Sequence, residues 1–441
     1  MAVAVHGAPG ATGEAIVKVE ATGSVSLRGA SEARVAVGEG RVREALFELV
    51  AGEAGEGTVR VSGRLGQERD AVQLKVPVRR RARTETVATS GSATAQVTET
   101  VEPPAGAAPD VGGLSVSVAP TALVGLDRAA KSLISYPHGC LEQRMSAILP
   151  NLYLEDLAAT FGFAPGTEGD LRESVRKTLA RLREFQRPDG GFGFWAGGSD
   201  ASDPYLTAWT IRIAGIARER GFKADPGVIA DAVAFLEKSL RTPRDASRDR
   251  PPDPDQAAFA TFVLAEEGRT VGDLVALFVA KRRDLSRTGR AWLAAAAWKD
   301  GAAAAALDLM TEVLEGATVK GDEAELPVPR GDEWHGMASG DVALTSAALI
   351  AGARAVPTHP LLPRLATHLW AARRNGEWSG THENGLALMA LATWVRMSEG
   401  DAAPDLAVSP WLGATPLATW QFKSRSAPPR ATDVPMRRRG A

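Results

Sequence analysis

Cysteine is nearly absent: Cys140 is the only one in 441 residues. An internal disulfide is excluded, and so is a metal site built on paired thiolates. Net charge is scarce as well. Lys and Arg number 51 against 53 Asp and Glu, a balance of −2, which leaves no footprint for nucleic acid or an anionic membrane surface. Long hydrophobic runs are missing. The longest purely apolar stretch, Ala291–Trp298, falls far short of the about 20 residues of a membrane span, so no membrane contact through this chain is expected. Met1 is followed by A-V-A-V-H-G, with neither a basic n-region nor an apolar h-region, so no signal peptide is predicted in this chain. A single cysteine suits a reducing compartment and survives export equally, and it does not fix a location. The six histidines are His6, His138, His335, His359, His368 and His382. None lies in an H-E-x-x-H pattern, and His335 stands alone in D-E-W-H, so no metal or other cofactor is expected.

What is present is an ordinary soluble composition, 44% hydrophobic and 24% charged, over a length that suggests two to four domains. Residues 1–119 are rich in Val, Thr, Ser and Gly. Alternating runs at Ala15–Glu20, Gly57–Ser62 and Ala71–Val78 predict short antiparallel strands of a sandwich. Further strands are predicted at Thr84–Val87, Ala93–Val101 and Leu114–Val118, broken by Pro103, Pro104, Pro109, Gly112 and Gly113. The basic cluster Arg79–Arg83 reads as a solvated linker.

From about Pro120 to Met397 the apolar period is helical. Twelve helices are predicted, near 121–134, 141–160, 168–187, 203–220, 226–240, 253–267, 271–284, 287–299, 302–316, 341–355, 360–374 and 382–398. Twelve helices with short connections suggest an α/α toroid of six helix pairs, an inner barrel wrapped by an outer ring. Alanine-rich Ala291–Ala297 and Ala302–Ala306 suit its crowded inner ring. A weak internal repeat supports this: Gln186–Trp195 and Arg373–Ser379 each hold a Gly turn and a Trp before a helix. These tryptophans are expected to plug junctions between helix pairs. Beyond residue 401 the helical period ends. Pro410–Gly413 reads as a turn, followed by an apolar run over Leu417–Phe422.

The chemistry concentrates at Tyr136-Pro137-His138-Gly139-Cys140-Leu141-Glu142-Gln143. Pro and Gly before Cys140 predict a sharp turn, and the residues after it a helix. Cys140 thus lies where unpaired N–H groups and the positive end of the helix dipole lower a thiol's pKa. Gln143, three residues on, returns to the same face. Attack of the sulfur on the Gln143 carboxamide would expel ammonia and leave an internal thioester. A lone cysteine is also commonly a small buried hydrophobe, and C-x-x-Q spacing by itself decides neither way.

The segment Y-P-H-G-C-L-E-Q resembles the thioester region of the bacterial branch of the α2-macroglobulin family, with every characteristic position filled. The resemblance extends to Asp189–Trp195, similar to the family's D-G-G-F-G-x-W. It extends also to Trp378–Leu388, similar to W-x-S-T-Q-E-N-A-x-A-L with His382 in place of Gln. It implies that Cys140 and Gln143 form the thioester. It implies too that Tyr136 is an aromatic lid over that bond, with His138, Gly139 and Glu142 shielding it or completing the motif.

By the same resemblance the fold class is multidomain α + β. The toroid is inserted in a CUB-like β-domain and preceded by part of a macroglobulin-like β-sandwich. The expected domains are 1–78, the partial sandwich; 79–119, the first CUB-like part; 120–400, the helical thioester domain; and 401–441, resumed and truncated CUB-like strands. The rest of that domain and a further sandwich are expected to be missing, and they are implied partners. The implied function is inhibition of endopeptidases: no catalysis, but one covalent coupling to a lysine of an attacking protease. The implied location is the periplasm or cell envelope. Ester formation with hydroxyls in complement relatives uses a histidine near the position of Arg250–Gln256, where this chain has none, so amines are the expected acceptors.

Two readings compete. A toroidal enzyme of terpenoid-cyclase or glycosidase type needs clustered acids, and Asp253-Pro254-Asp255 is the nearest approach to D-x-D-D. A structural or adhesive module would leave Cys140 inert, or use its thioester as an anchor.

Overall fold

The computed structural model describes residues 1–7, 9–38, 42–79, 87, 95–103, 105–107, 112–136, 139–155, 167–241, 253–328, 340–400 and 404–436. The chain divides into two compact units, Met1–Val87 and Ala88–Ala441.

The first unit is all β. Its strands are β1 (Ala2–His6), β2 (Gly13–Gly23), β3 (Val25–Arg28), β4 (Glu32–Val37), β5 (Val42–Leu46), β6 (Glu48–Ala51), β7 (Gly55–Leu65) and β8 (Glu68–Val78). They pair antiparallel: a four-stranded sheet in the order β4-β2-β7-β8, with β1 on β5 and β3 on β6. Strict alternation sets the register. Ala15, Val17 and Val19 of β2 are buried while Lys18 and Glu20 face out, and Val59 and Val61 of β7 join the same core. Gly57 must lack a side chain, because a Cβ there would come within 1.7 Å of Val25. The three runs read as strands lie in β2, β7 and β8; the other five strands carry too few alternating residues to stand out.

In the second unit β9 (Gly113–Val118) precedes the helices. The strand expected over Ala93–Val101 is not there in the described residues: Ala95–Val101 is exposed and in no strand. Thr84–Thr86, Ala93, Thr94 and Arg80–Arg83 lie outside the described residues.

Among the described residues twelve α-helices follow: α1 (Asp127–Ser135), α2 (Leu141–Tyr153), α3 (Thr167–Ala180), α4 (Pro204–Glu219), α5 (Pro226–Arg241), α6 (Pro254–Glu266), α7 (Gly272–Ala280), α8 (Arg287–Lys299), α9 (Ala303–Leu314), α10 (Asp341–Ala355), α11 (Leu361–Ala371) and α12 (Thr381–Glu399). Each answers to one predicted helix, and the starts of α4, α6 and α8 each fall on a side-chain cap. Asp203 and Asp253 accept from the first N–H groups of α4 and α6, each with proline at the first helical position. Ser286 caps α8.

The two helix sets bury differently. α4 is buried without a break from Tyr205 to Ala217, and α8 buries Ala291–Ala297. By contrast, α5 buries only Val228, Ala232, Val233 and Leu236, one stripe at helical spacing. Packing follows this division. α2 lies against α4, α4 against α6, α6 against α8, α8 against α10 and α10 against α12, and α12 returns to α2. The odd-numbered helices each lie against an even-numbered neighbour. Large rings fill the middle: Tyr205, Trp209, Phe259, Phe262 and Trp292, with centroids 4.9–6.4 Å apart along the chain of contacts. Ala303 and Ala304 break the expectation for alanine-rich segments. They begin α9 and face solvent, where alanine serves helix propensity rather than close packing.

A hairpin of β10 (Thr318–Lys320) and β11 (Glu323–Glu325) lies against α11. After α12 come β12 (Leu406–Val408), β13 (Trp411–Leu412), β14 (Thr415–Pro416), β15 (Trp420–Phe422) and β16 (Arg430–Pro435). β12 pairs with β15 and β13 with β14. β16 pairs with β9, Val118 opposite Arg430 and Gly113 opposite Pro435, so strands from either side of the helices share one ladder.

His368 of α11 ties the hairpin to α10. Its Nε2 lies 2.8 Å from Asp341 and its Nδ1 3.5 Å from Glu323. The hydrogen bond to Asp341, helped by the charges of Asp341 and Glu323, raises its pKa above the ordinary 6.5 against the opposing effect of burial. A raised folded-state pKa stabilises fully below the unfolded value and loses that contribution as pH rises through the folded one. The thermal midpoint is therefore expected to fall as pH climbs from 6.5 through that raised value. In His368→Gln the fall flattens; a slope identical to wild type would show that the contact contributes nothing.

Candidate functional site

Cys140 is the N-cap residue of α2, with extended backbone (φ −67°, ψ 161°). Gln143 is the third helical residue, and the two cap each other. The Gln143 N–H donates to the Cys140 sulfur, and the Cys140 N–H donates to Gln143 Oε1 at 3.2 Å. This is the reciprocal box that Ser and Glu ordinarily form at a helix start, here with a thiol and a carboxamide. The Leu141 N–H donates to Phe194 O at 2.9 Å, so the Gly-rich loop 186–195 holds the start of α2. Arg144 Nε donates to Gly139 O at 2.8 Å, and a Cβ on Gly139 would meet that guanidinium at 2.8 Å.

The electrostatics differ from the expectation of a lowered thiol pKa. Cys140 is buried, and burial pushes its pKa above the ordinary value. The N–H groups of Gln143 and Glu142 and the charge of Arg144 pull it down, but they do not outweigh desolvation aided by the Glu142 charge. Tyr136 caps the C-terminus of α1 and is 40% exposed. Pro137 and His138 lie outside the described residues.

Glu142 points into the helical core and anchors a polar network. Its Oε1 accepts from Ser146 Oγ at 2.6 Å and its Oε2 from Thr381 Oγ1 at 2.8 Å. His382 Nδ1 stands 3.5 Å from Oε1, an ion-pair distance, and makes no hydrogen bond among the described residues. His382 Nε2 is 2.8 Å from the Tyr205 hydroxyl, and its ring lies 4.4 Å from that of Trp209. Trp209 Nε1 donates to Ser146 Oγ at 3.2 Å, which closes the loop of contacts back onto α2. Burial is the largest single influence on Glu142 and opposes its charge. The facing His382 ring, with the hydroxyl hydrogen bonds of Ser146 and Thr381, outweighs it and holds the carboxyl below the ordinary carboxylate value.

The second motif sits at the start of α12. Asn384 donates to Trp378 O and Gly380 O and accepts from the Trp378 N–H, while Glu383 accepts from the Ser379 N–H. The loop is thereby fastened so that Thr381 and His382 reach Glu142. Trp378 is buried, its indole donating to Leu369 O, as a junction plug should be. Trp195 is not a plug: it is 58% exposed, and its loop is held instead by Arg187, which bonds Phe185 O, Trp195 O and Asp200. Sequence reasoning missed Ser146, Tyr205 and Trp209. Only the helical offset of Ser146 from Glu142 gave a local signal. Asp253 and Asp255, the acids nearest a cyclase motif, act as caps: Asp253 for α6, and Asp255 accepting from the Ser286 N–H at 2.9 Å. Arg250–Pro252 and Asp332–His335 lie outside the described residues.

Residues 114–243 match the family model of the A-macroglobulin TED domain. An α2-macroglobulin homologue of Nostoc sp. is 22% identical over 97% of this chain and 22% of its own length. The α2-macroglobulin of Escherichia coli K12 is 31% identical over 27% of this chain and 7% of its own length. The crystal structure of native E. coli α2-macroglobulin from domain MG7 to the C-terminus superposes with a TM-score of 0.53 at 18% identity, covering 99% of this chain and 70% of that one. The chain thus carries a TED-domain match and is similar in sequence and fold to bacterial α2-macroglobulins. It spans about a fifth of the length of its Nostoc relative. Salmonella α2-macroglobulin reacted with methylamine gives a TM-score of 0.53 at 18% identity over 99% of this chain and 29% of that one. A trypsin-activated E. coli α2-macroglobulin gives 0.50 at 20% identity over 99% and 30%. Among the described residues no helix is long and apolar enough to cross a membrane, and no cluster of His, Cys, Asp and Glu could hold a metal ion.

Proposed function

We propose that Cys140 and Gln143 close an internal thioester, and that the chain is the reactive part of a protease-trapping α2-macroglobulin. One observation carries this reading. The thiol and the carboxamide occupy the two ends of a single reciprocal cap, so they share the first turn of α2 in mutual contact. In ring closure the sulfur attacks the Gln143 side-chain carbonyl carbon and the C–N bond breaks. The nitrogen leaves as ammonia with the thiol proton. A lysine amine of a protease then attacks the same carbon, an amide forms, and the cysteine departs as a thiol. Each molecule reacts once, so the chain is an inhibitor and not a catalyst. The burial that raises the thiol pKa suits this role, since a site that excludes water protects the closed bond from hydrolysis. Tyr136, His138 and Gly139 complete the shield, and Glu142 fixes the helix that presents it. Methylamine, trypsin and elastase are the reagents with which related macroglobulins are described, and an amine and two proteases are the acceptor and targets proposed here.

The architecture fits a thioester domain at 120–400 built as an α/α toroid, supported by the even-numbered helices that follow one another round to α2. Its insertion between CUB-like segments 79–119 and 401–441 is supported by the pairing of β9 with β16. The strands of 1–78 belong to a macroglobulin-like sandwich, and the cell envelope is the proposed location. Intact mass tests the chemistry. The untreated chain should weigh about 17 Da less than its sequence, the ammonia of ring closure, and methylamine should add about 31 Da, with Cys140→Ala inert to both. A full sequence mass with no methylamine uptake would falsify the thioester. Offered together, labelled methylamine should be incorporated in preference to labelled glycerol; equal uptake of the alcohol would refute the preference for amines.

A further inference from the structure

Two arginines of the helical unit share one carboxylate far from Cys140. Arg212 of α4 and Arg354 of α10 both approach Glu266 Oε2 of α6, at 3.1 and 3.4 Å, and Lys299 of α8 lies 3.9 Å from Oε1. Both guanidinium carbons stand 5.6 Å from the Phe262 ring. Three cations thus converge on a single anion, an excess of two positive charges. The Arg212 side chain is only 8% exposed and Glu266 only 12%. Arg212 has five N–H donors, yet among the described residues its Nε has no hydrogen-bond partner and its contact to Glu266 is an ion pair. Arg354 is better served, donating to Ile350 O at 2.8 Å. Burial nevertheless lowers its pKa, with Arg212 adding to the effect and Glu266 opposing it.

A buried guanidinium N–H without an acceptor is costly, as is a buried surplus of like charge, and an oxyanion removes both costs together. Tyr153, at the C-terminal end of α2, feels the charges of both arginines. The cluster therefore stands beside the end of α2 opposite Cys140, which over 13 residues is about 20 Å away. It is separate from the thioester chemistry. Exposure rises from Arg212 through Arg354, at 22%, to Lys299, at 48%, which gives an approach from solvent.

We infer that Arg212, Arg354 and Lys299 form a binding site for a small oxyanion, a phosphate or a carboxylate, with the unpartnered Nε of Arg212 as its principal donor. A planar fork presents parallel donors to two oxygens of such a group, which chloride cannot match. The test is thermal unfolding and calorimetric titration of the full chain with inorganic phosphate and, separately, acetate, each against chloride at the same ionic strength. Phosphate, acetate or both should raise the unfolding midpoint by a few degrees and give a saturable binding heat. A response to only one identifies which oxyanion the site takes. In Arg212→Met, which keeps the aliphatic stem, the increment should vanish and binding weaken about tenfold or more, while stability in chloride stays the same or rises. Lys299→Met, at the exposed rim, should weaken binding by a smaller factor without threatening the fold. The inference is overturned if neither oxyanion acts differently from chloride, or if their effect persists undiminished in both variants.

Discussion

Glu142→Ala is expected to lose about 3–5 kcal/mol of unfolding free energy, because it leaves buried groups without their common partner. The carboxylate accepts from Ser146 and Thr381 and faces His382, on α2 and α12. Alanine removes both acceptor oxygens and leaves the Ser146 and Thr381 hydroxyls without their common acceptor. Glu142→Gln keeps the shape and one acceptor oxygen, and should recover about half of the loss. Denaturant titration at neutral pH measures both variants; a cost below about 1 kcal/mol for the alanine change would show that the network does not fasten α12 to α2. Acid gives a second check. Because the folded-state carboxyl ionises below its ordinary 4.5, its contribution is complete above that value and is lost as pH falls through the lower, folded value. Wild type should therefore shed stability in that acid window more steeply than Glu142→Gln.

The second large effect is expected from Trp209→Ala, at about 3–5 kcal/mol. Trp209 is fully buried, lies against His382 and Phe259, and donates to Ser146. Its ring also meets α12 where Gly385 lets the helices close: a Cβ on Gly385 would come within 3.1 Å of Trp209 and 3.0 Å of Leu149. The void left by the indole is walled by three helices that are themselves packed on both sides, so little collapse can fill it. Part of the cost is shared with the polar network. A double-mutant cycle with Ser146→Ala should show coupling of about 1 kcal/mol, from the one hydrogen bond. Strict additivity would mean that the indole acts only as a space-filler.

What the sequence makes legible is local. Helix starts are written in a few neighbouring residues, so the caps Asp203, Asp253 and Ser286 and the Cys140–Gln143 turn can be placed from the residues alone. The sustained 3.6-residue period does the same for all twelve helices. The network around Glu142 is hidden because its members are remote: Trp209 lies 63 positions from Ser146, and Thr381 lies 239 from Glu142. In the sequence His382 is a mere departure from a motif; in the fold its ring stands between Tyr205, Trp209 and Glu142. The thiol pKa moves opposite to the expectation for a similar reason. A helix N-terminus can be read from the sequence, whereas the desolvation that opposes it comes from side chains elsewhere in the fold. Strands escape notice where they are short: β3 and β6 have four residues each, too few for alternation to declare itself.

The ladder between β9 and β16 carries a mechanical consequence. The backbone enters the helical unit at Val118 and the returning strand stands directly across from it at Arg430, so entrance and exit are moored at neighbouring points. A pull on the flanking strands is therefore borne by the ladder before it reaches α2.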